Sequence, residues 1–313
     1  MRAIGLTQYG GPEVLHLVDL PEPEPSAGEV KVRVRAAGIN PVDVMVREGD
    51  LAPLFADIEP PYVPGMDISG VVDAVGDGVD PGMVGQAVSG LVDNHGAYGG
   101  YSEYICLPVT SVIPVPEKAS FPEAASFLMN AMTARNALDA LALSAGATVL
   151  VTGAAGAVGT YALGLGNNQG LRMVALASAA DGSFLRSVGA SDFVARGDFP
   201  IEAIRQFAPE GVDAVIDAAG LGDSIVPAIG DHGSLIALRP RDDGTLERGV
   251  RIKFVNVRER AADHAALKRL GKQVESGLLP LRVAGVYEAT DAVAGHQRFD
   301  KGKLRGRLIL TFD

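Results

Sequence analysis

Residues 147–168 read ATVLVTGAAGAVGTYALGLGNN, and the architecture of the chain follows from how they are parsed. ATVLVTG (147–153) is a short apolar run rich in β-branched side chains, the composition of a strand buried on both faces. GAVGTYALGLGNN (156–168) has the length and apolar content of a helix packed against it. Gly153, Gly156 and Gly159 lie between the two. Gly153 permits a tight turn, Gly156 lets the backbone approach a pyrophosphate, and Gly159 lets helix and strand pack closely. The unpaired N–H groups of the helix N-terminus then face the phosphate charge. The spacing is G-x-x-G-x-x-G rather than the commoner G-x-G-x-x-G. A glycine triplet alone is weak evidence, but here a strand precedes it and a helix follows it, as the motif requires. We therefore read Gly153, Ala154, Ala155, Gly156, Ala157, Val158 and Gly159 as a dinucleotide-binding loop.

Downstream, strand and helix signals keep alternating. LRMVALAS (171–178), VDAVIDAAG (212–220) and GSLIALR (233–239) are buried strand runs, and DGSFLRSVGA (181–190) is a helix between the first two. Such alternation implies a parallel sheet with helices on both faces. Upstream, SFPEAASFLMNAMTARNALDAL (120–141) reads as one helix, with Ser120 as N-cap and Pro122 and Glu123 in its first turn. Earlier still the character is β. VKVRVRAA (30–37) alternates apolar and charged residues, DISGVVDAVG (67–76) is interrupted by Gly70, and GGYSEYICLP (99–108) is a third strand signal. Many short strands without long helices suggest a small barrel or sandwich. The C-terminal part adds strands over 250–258 and 306–312 and a helix over 262–277 that ends at Gly277. The expected fold class is α/β. A Rossmann doubly wound parallel-sheet domain (121–248) is inserted into a β-rich domain (1–120 and 249–313) completed by both chain ends.

Composition narrows the function. The 313 residues are 47% hydrophobic, which suits a soluble protein with a large core. The net charge is −11 and no Lys/Arg block appears, so no nucleic-acid partner is expected. A few arginines and backbone N–H groups suffice to bind an anionic cofactor. Cys106 is the only cysteine, so no intrachain disulfide and no cysteine-rich zinc site can form. No apolar run approaches the ~18 residues of a membrane span, and no signal-peptide pattern opens the chain. A cytoplasmic protein with no membrane contact is the expectation.

An NAD site usually has an acid at the end of the second strand to hold the ribose 2′-hydroxyl. Here that strand ends in Ala177-Ser178. Ser178 and Arg196 can together hold a 2′-phosphate, while nearby Asp181 would repel a phosphate or bind a hydroxyl. Ser178 can equally be a loop residue and Arg196 a solvated arginine. NADPH is the favoured cofactor. Other chemistries lack their residues. None of the seven tyrosines has Lys four positions later, and no G-x-S-x-G occurs. His16, His95, His232, His264 and His296 are scattered, with no close pair to bind a metal. Cys106, within a strand pattern, reads as a small buried hydrophobe.

Together these segments resemble the medium-chain dehydrogenase/reductase superfamily, and within it the zinc-free quinone oxidoreductases related to zeta-crystallin. The resemblance rests on AAGINPVDVMVREG (36–49), PGMDISGVVDAVGDGV (64–79), GGYSEY (99–104), VTGAAGAVG (151–159) and HQRFDKGKLRGRLIL (296–310), in the family's order. It implies that the β-rich part is a GroES-like catalytic domain. Asn40-Pro41 falls where zinc members carry a metal-binding cysteine, and Met66-Asp67 where they carry His-Glu, so no metal site is implied. Asn40 and Thr133 would lie beside the nicotinamide, Ala219 and Leu238 would contact it through their backbones, and Arg305 would reach toward the cofactor. Asn40 can also simply set the turn before Pro41, and Thr133 can be an ordinary helix residue. Some relatives carry a Tyr soon after the Asn-Pro segment; Met45 and Leu51 occupy that stretch here, which leaves the proton donor unidentified.

The expected activity is hydride transfer from NADPH to a quinone or an α,β-unsaturated carbonyl (enone), the reaction of an NADPH:quinone oxidoreductase or enone reductase. Catalysis would use Asn40, Asp43 and Thr133, with the proton coming from water or through a solvent chain past Asp43. Two alternatives stand beside it: a pathway-specific enoyl reductase of secondary metabolism, and a non-catalytic NADPH-binding protein of crystallin or RNA-binding type. A homodimer is expected at family level, and VRIKFVNV (250–257) either extends a sheet across it or is an internal strand.

Overall fold

The computed structural model describes residues 1–93, 98–197 and 200–312. The chain forms two compact units, one of Met1–Met129, Arg258–Glu275 and Leu281–Asp313, the other of Asn130–Val257 and Ser276–Pro280.

The second unit is built on the strand Thr148–Thr152. Its sheet runs, in spatial order, Asp192–Ala195, Arg172–Ala177, Thr148–Thr152, Val212–Asp217, Ile229–Ala237, Arg251–Phe254 and Gly244–Thr245. The first six strands are parallel. Numbered along the chain they lie 3-2-1-4-5-6, the doubly wound order. The two-residue strand Gly244–Thr245 pairs antiparallel at the edge. Val149, Leu150 and Val151 are fully buried, as are Val215 and Ile216. Burial of such a side chain contributes ~1.5–3 kcal/mol, which is why these runs need no polar alternation. Chain order reverses between Thr148–Thr152 and Val212–Asp217. The connections leaving these two strands therefore diverge and open a crevice at the carboxyl edge of the sheet.

The first unit carries a seven-stranded sheet centred on Glu29–Ile39. That strand pairs antiparallel with Asp67–Val75, Tyr104–Pro108 and Arg307–Thr311. Serving three partners requires it to bend, and its register with Asp67–Val75 shifts twice, once opposite Gly70. Bulges of this kind turn corners in small barrels. Val30, Val32, Val34, Ile39, Ile68 and Leu310 fill the core beneath.

Several elements differ from the sequence reading. The helix over 120–141 is two, Phe121–Ala124 and Leu128–Leu141. Ser120 caps the first of them as read, and Glu123 completes a capping box by reaching back to Ser120 N. At the break Ser126 donates both its N–H, at 3.0 Å, and its Oγ, at 2.7 Å, to the carbonyl of Glu123, the acceptor that the N–H of Phe127 would take in a continuing helix. The strand signal over 99–108 is regular only from Tyr104. Before that, Gly99, Gly100 and Tyr101 donate their N–H groups to Val63, Gly65 and Pro64 in a loop. Pro41–Glu48, unassigned from sequence, is a helix opened by Asn40 and closed by Gly49 in the left-handed conformation (φ 87°). Among the described residues no helix is long and apolar enough to cross a membrane.

Candidate functional site

The glycine loop sits at the crevice of the second unit. Gly153 has φ +58°, a left-handed turn that lets the chain leave the strand abruptly. Gly156 caps the helix Ala157–Asn168 in extended conformation. The first-turn N–H groups of Ala157, Val158 and Gly159 have no intrahelical acceptor and carry the positive end of the helix dipole. A Cβ on Gly159 would lie 2.6 Å from Ala154 Cα, so only glycine allows the helix to approach its strand this closely. A Cβ on Gly156 would meet only Gly153 O, at 3.2 Å. Its outer side is open, which is the shape a pyrophosphate requires.

Asp217, at the end of the neighbouring strand, organises the rest of this edge and has no counterpart in the sequence reading. It is 5% exposed. Its Oδ1 accepts from Thr152 Oγ1 at 2.6 Å and from Leu221 N at 3.0 Å, and its Oδ2 accepts from Gly222 N at 2.8 Å. Thr152 Oγ1 in turn accepts from Ala219 N at 3.0 Å. These bonds hold the loop carrying Ala219 against the strand that leads into the glycine loop. Leu238 follows the next strand and shares a small hollow of about 110 Å³ with Asp217, Gly220, Arg239 and Arg241. An acid closing the run VDAVID is the only sequence signal for this lock.

Ser178 and Arg196 end adjacent parallel strands, with Ala177 and Ala195 in register. Arg196 N donates to Ala177 O at 2.6 Å, and its side chain is exposed beside half-buried Ser178. Asp181, the acid that competes with a phosphate reading, is 6% exposed. Thr133 lies on the helix Leu128–Leu141 and is 7% exposed.

The first unit contains a buried polar cluster. Asp43, fully buried, accepts from Asn40 N at 2.8 Å through Oδ2 and from Gly65 N at 2.8 Å through Oδ1. It thereby ties the Asn40-Pro41 turn to the segment leading to Met66-Asp67. Tyr101 Oη donates to Asp43 Oδ2 at 3.4 Å. Behind it His296 Nε2 lies 3.2 Å from Tyr101 Oη, and His296 Nδ1 lies 3.3 Å from Arg47 Nη1. A guanidinium only donates, so Nδ1 accepts and the ring proton is on Nε2. Burial and the Arg47 charge lower His296 to about 3, so the ring is neutral. Arg47 is 1% exposed and pairs with Glu48 and Asp300. Burial raises Asp43 to about 6, against the pull of its N–H donors and of the Arg307 charge. Asp67, also buried, accepts from Met129 N at 2.9 Å and is raised by burial to about 7. A fully buried Asp43 gives the expected solvent chain no exposed carboxylate at which to begin.

Arg305 is exposed, with Nη1 3.4 Å from Lys303 O. Cys106 is half-buried rather than buried, and desolvation pushes its thiol to about 11. His95 lies outside the described residues. Among the described residues no group of three or more His, Cys, Asp and Glu side chains could hold a metal ion. Sequence reading missed Asp67, Tyr101, Arg47 and His296 as a set. Each was legible only as a polar residue in an apolar neighbourhood, and no spacing links positions so far apart in the chain.

Residues 26–117 match the alcohol dehydrogenase GroES-like domain, and residues 188–310 match a domain described as zinc-binding dehydrogenase. The chain is 30% identical to the human (Homo sapiens) quinone oxidoreductase over 332 aligned positions, covering 99% of this chain and 97% of that protein. It is 34% identical over 241 positions to a mouse (Mus musculus) synaptic vesicle membrane protein VAT-1 homolog-like, covering 74% of this chain but only 55% of that protein. A mycobacterial protein solved as a complex with NADPH superposes with a TM-score of 0.84 at 27% identity, over 100% of both chains.

Proposed function

The chain belongs to the quinone oxidoreductase branch of the medium-chain dehydrogenase/reductases, and on that premise we propose that it is an NADPH-dependent reductase of quinones or α,β-unsaturated carbonyl compounds, working without a catalytic zinc. The observation that carries this reading is the glycine loop opening a parallel sheet of Rossmann order at its switch point. The NADPH complex of the mycobacterial neighbour supports the choice of cofactor. In this reading Asn130–Val257 is the dinucleotide-binding domain, and the unit holding Asn40 and Asp43 is the catalytic, GroES-like domain.

Backbone N–H groups of Ala155, Ala157, Val158 and Gly159 hold the pyrophosphate, while Ala154 N, which donates to Leu176 O, fixes the loop to the neighbouring strand. Ser178 and Arg196 hold the 2′-phosphate, and the backbones of Ala219 and Leu238, fixed through Asp217, position the nicotinamide. When bound, the reduced nicotinamide supplies hydride. Asn40, Thr133 and Arg305 orient cofactor and acceptor. With no metal to polarise a carbonyl, hydrogen bonds alone do so, which suits activated alkenes and quinones better than plain ketones. Both quinones and enones accept hydride at an electron-poor carbon, and the substrate within this class is left to a panel. The protein acts as a soluble homodimer in this proposal, and light scattering after gel filtration tests the dimer.

The test is titration with NADPH and NADH by cofactor fluorescence, followed by a panel of quinones and short enones. The expected outcome is tighter binding of NADPH, with its oxidation only when an acceptor is added. Arg196→Ala should weaken NADPH binding about tenfold, roughly 1.4 kcal/mol, and leave NADH unchanged. NADPH binding with no turnover on any acceptor would overturn the reductase reading, and failure to bind either cofactor would overturn the dinucleotide site.

A further inference from the structure

The segment that follows the strand Ile229–Ala237 reads Leu238-Arg239-Pro240-Arg241 and sets two guanidinium groups at the carboxyl edge of the parallel sheet. Both arginines line the hollow of about 110 Å³ that Leu238 shares with Asp217 and Gly220. Arg239 is exposed, yet its side chain does not simply extend into solvent. A Cβ on Gly220 would lie 3.3 Å from Arg239 Nε, so the arginine lies across the Gly220 backbone. Gly220 has φ +69°, a conformation that favours glycine, and its bare backbone leaves the guanidinium room.

The acids around the hollow are already engaged. Asp217 accepts from Thr152, Leu221 and Gly222 through both oxygens. Asp223 pairs with Arg241 at 2.7 Å. Asp243 Oδ1 accepts from Phe254 N at 2.7 Å. Asp242 is exposed and does not line the hollow. Arg239 makes no hydrogen bond or ion pair among the described residues. An uncommitted guanidinium beside a second one, in a chain of net charge −11, attracts anions against an acidic background. Volume limits what can enter. A complete ligand pocket has ~300–1,000 Å³, so a hollow of about 110 Å³ receives one substituent and not a whole acceptor. The flat fork of an arginine matches a carboxylate bidentately.

We propose that Arg239, with Arg241 beside it, holds a carboxylate of the acceptor, so that the preferred substrate is an enone or quinone bearing an acid group rather than a neutral compound. The inference rests on the reductase reading above and narrows its substrate class. In that reading the backbones of Ala219 and Leu238 position the nicotinamide. Gly220 and Arg239 are their immediate successors in the chain, and both line the hollow. A carboxylate on Arg239 is therefore anchored close to the ring that gives up hydride. The carboxylate keeps its charge throughout and takes no part in the transfer. Its ion pair orients the acceptor and raises its occupancy, as binding remote from the reacting atoms does.

The probes are acetylacrylate, an enone carrying a carboxylate, and its uncharged methyl ester. Wild type should show a KM about tenfold lower for the acid, as a partly exposed charge-assisted fork gives, and added salt should shrink that preference. Arg239→Gln should erase most of the preference. Arg239→Lys, which keeps the charge and loses the fork, should retain part of it. Binding is read apart from turnover with levulinate, the acid whose alkene is already reduced. By calorimetry on the NADPH-loaded protein it should bind more tightly than methyl levulinate, and Arg239→Gln should remove the difference. Equal KM for acid and ester in wild type, or a preference that survives Arg239→Gln, would overturn the proposal and leave the reductase reading standing. Weaker NADPH binding in Arg239→Gln with the acid preference intact would overturn it too, because the hollow would then serve the cofactor. A wild type that reduces no acceptor yet binds levulinate through Arg239 would overturn the reductase reading and leave the carboxylate site standing.

Discussion

Asp43, Asp67 and His296 make the pH dependence of stability a property of three residues. Burial raises the two acids from 3.8 to about 6 and about 7. An acid raised on folding is protonated more readily in the native chain. Its contribution is therefore full at low pH and is lost as pH rises from about 3.8 through the folded value. His296 is depressed from 6.5 to about 3. Its contribution is full above about 6.5 and is lost as pH falls, because the unfolded chain then binds a proton that the native ring refuses. Between pH about 4 and about 6 two acids oppose one histidine, leaving one net proton and a slope near −1.4 kcal/mol per pH unit. Asp67→Asn should flatten this component, and His296→Gln should roughly double its slope. Urea unfolding of the variants against wild type across that range measures it, since all other groups cancel in the difference. Equal slopes in wild type and Asp67→Asn would refute the assignment. Sequence could not show this cluster. Asp67 opens an apolar strand run that carries a second acid, Asp73, and His296 lies 195 positions from Tyr101 with the whole second unit between them in the chain. Their meeting depends on tertiary pairing of the strand Glu29–Ile39 with both Asp67–Val75 and the last strand, Arg307–Thr311.

The strand–loop–helix over 148–168 separates two uses of glycine that look identical in sequence. A Cβ on Gly159 strikes backbone at 2.6 Å, whereas one on Gly156 meets a single oxygen at 3.2 Å. Gly159→Ala should therefore destabilise by about 1–3 kcal/mol, as overpacking does. Gly156→Ala should keep its thermal midpoint within a few degrees and lose NADPH affinity about tenfold or more, because a methyl group enters the space that a pyrophosphate needs. Parallel melting curves and cofactor titrations of the two variants distinguish them, and equal effects on both readouts would refute the division of roles. Asp217→Ala takes the acceptor from Thr152 Oγ1, Leu221 N and Gly222 N together. The expected loss is about 2–4 kcal/mol, since three charge-assisted bonds are lost together and the buried Thr152 hydroxyl is left without its acceptor. Thr152→Val should give a smaller loss of the same kind, measured by urea unfolding. The strand and helix of this element were legible because burial leaves a continuous apolar run and the glycines punctuate it. The Asp217 lock was not, because one acid at a strand end looks the same whether it faces solvent or receives three donors. The helix Pro41–Glu48 escaped notice for a related reason. Its eight residues are too few for a periodic signal, and its start is fixed by Asp43 reaching back to Asn40 N.

At the scale of the whole chain, the alternation of strand and helix signals foretold a parallel sheet but not its spatial order. The order 3-2-1-4-5-6 depends on which face each crossover takes, and that is set by packing rather than by any one segment. The question of metal also belongs to this scale, because one matched domain is described as zinc-binding. Zinc needs three or four convergent ligands, most often thiolate or imidazole. The chain has one cysteine, half-buried in the strand Tyr104–Pro108 opposite Lys31, and burial pushes its thiol to about 11, so thiolate is scarce at neutral pH. His296 has both ring nitrogens engaged, by Arg47 and Tyr101. Asn40 and Met66 offer neither thiolate nor imidazole, and Asp43 uses both oxygens to join the two segments. A hydrogen-bonded carboxylate thus does the joining that a metal ion would otherwise do. Excess chelator should therefore change neither the thermal midpoint nor the rate of NADPH oxidation. Asp43→Ala, which leaves Asn40 N and Gly65 N without their acceptor, should lower stability by about 3–5 kcal/mol. A fall in activity on chelation that added zinc restores would show that the two segments are held by metal after all.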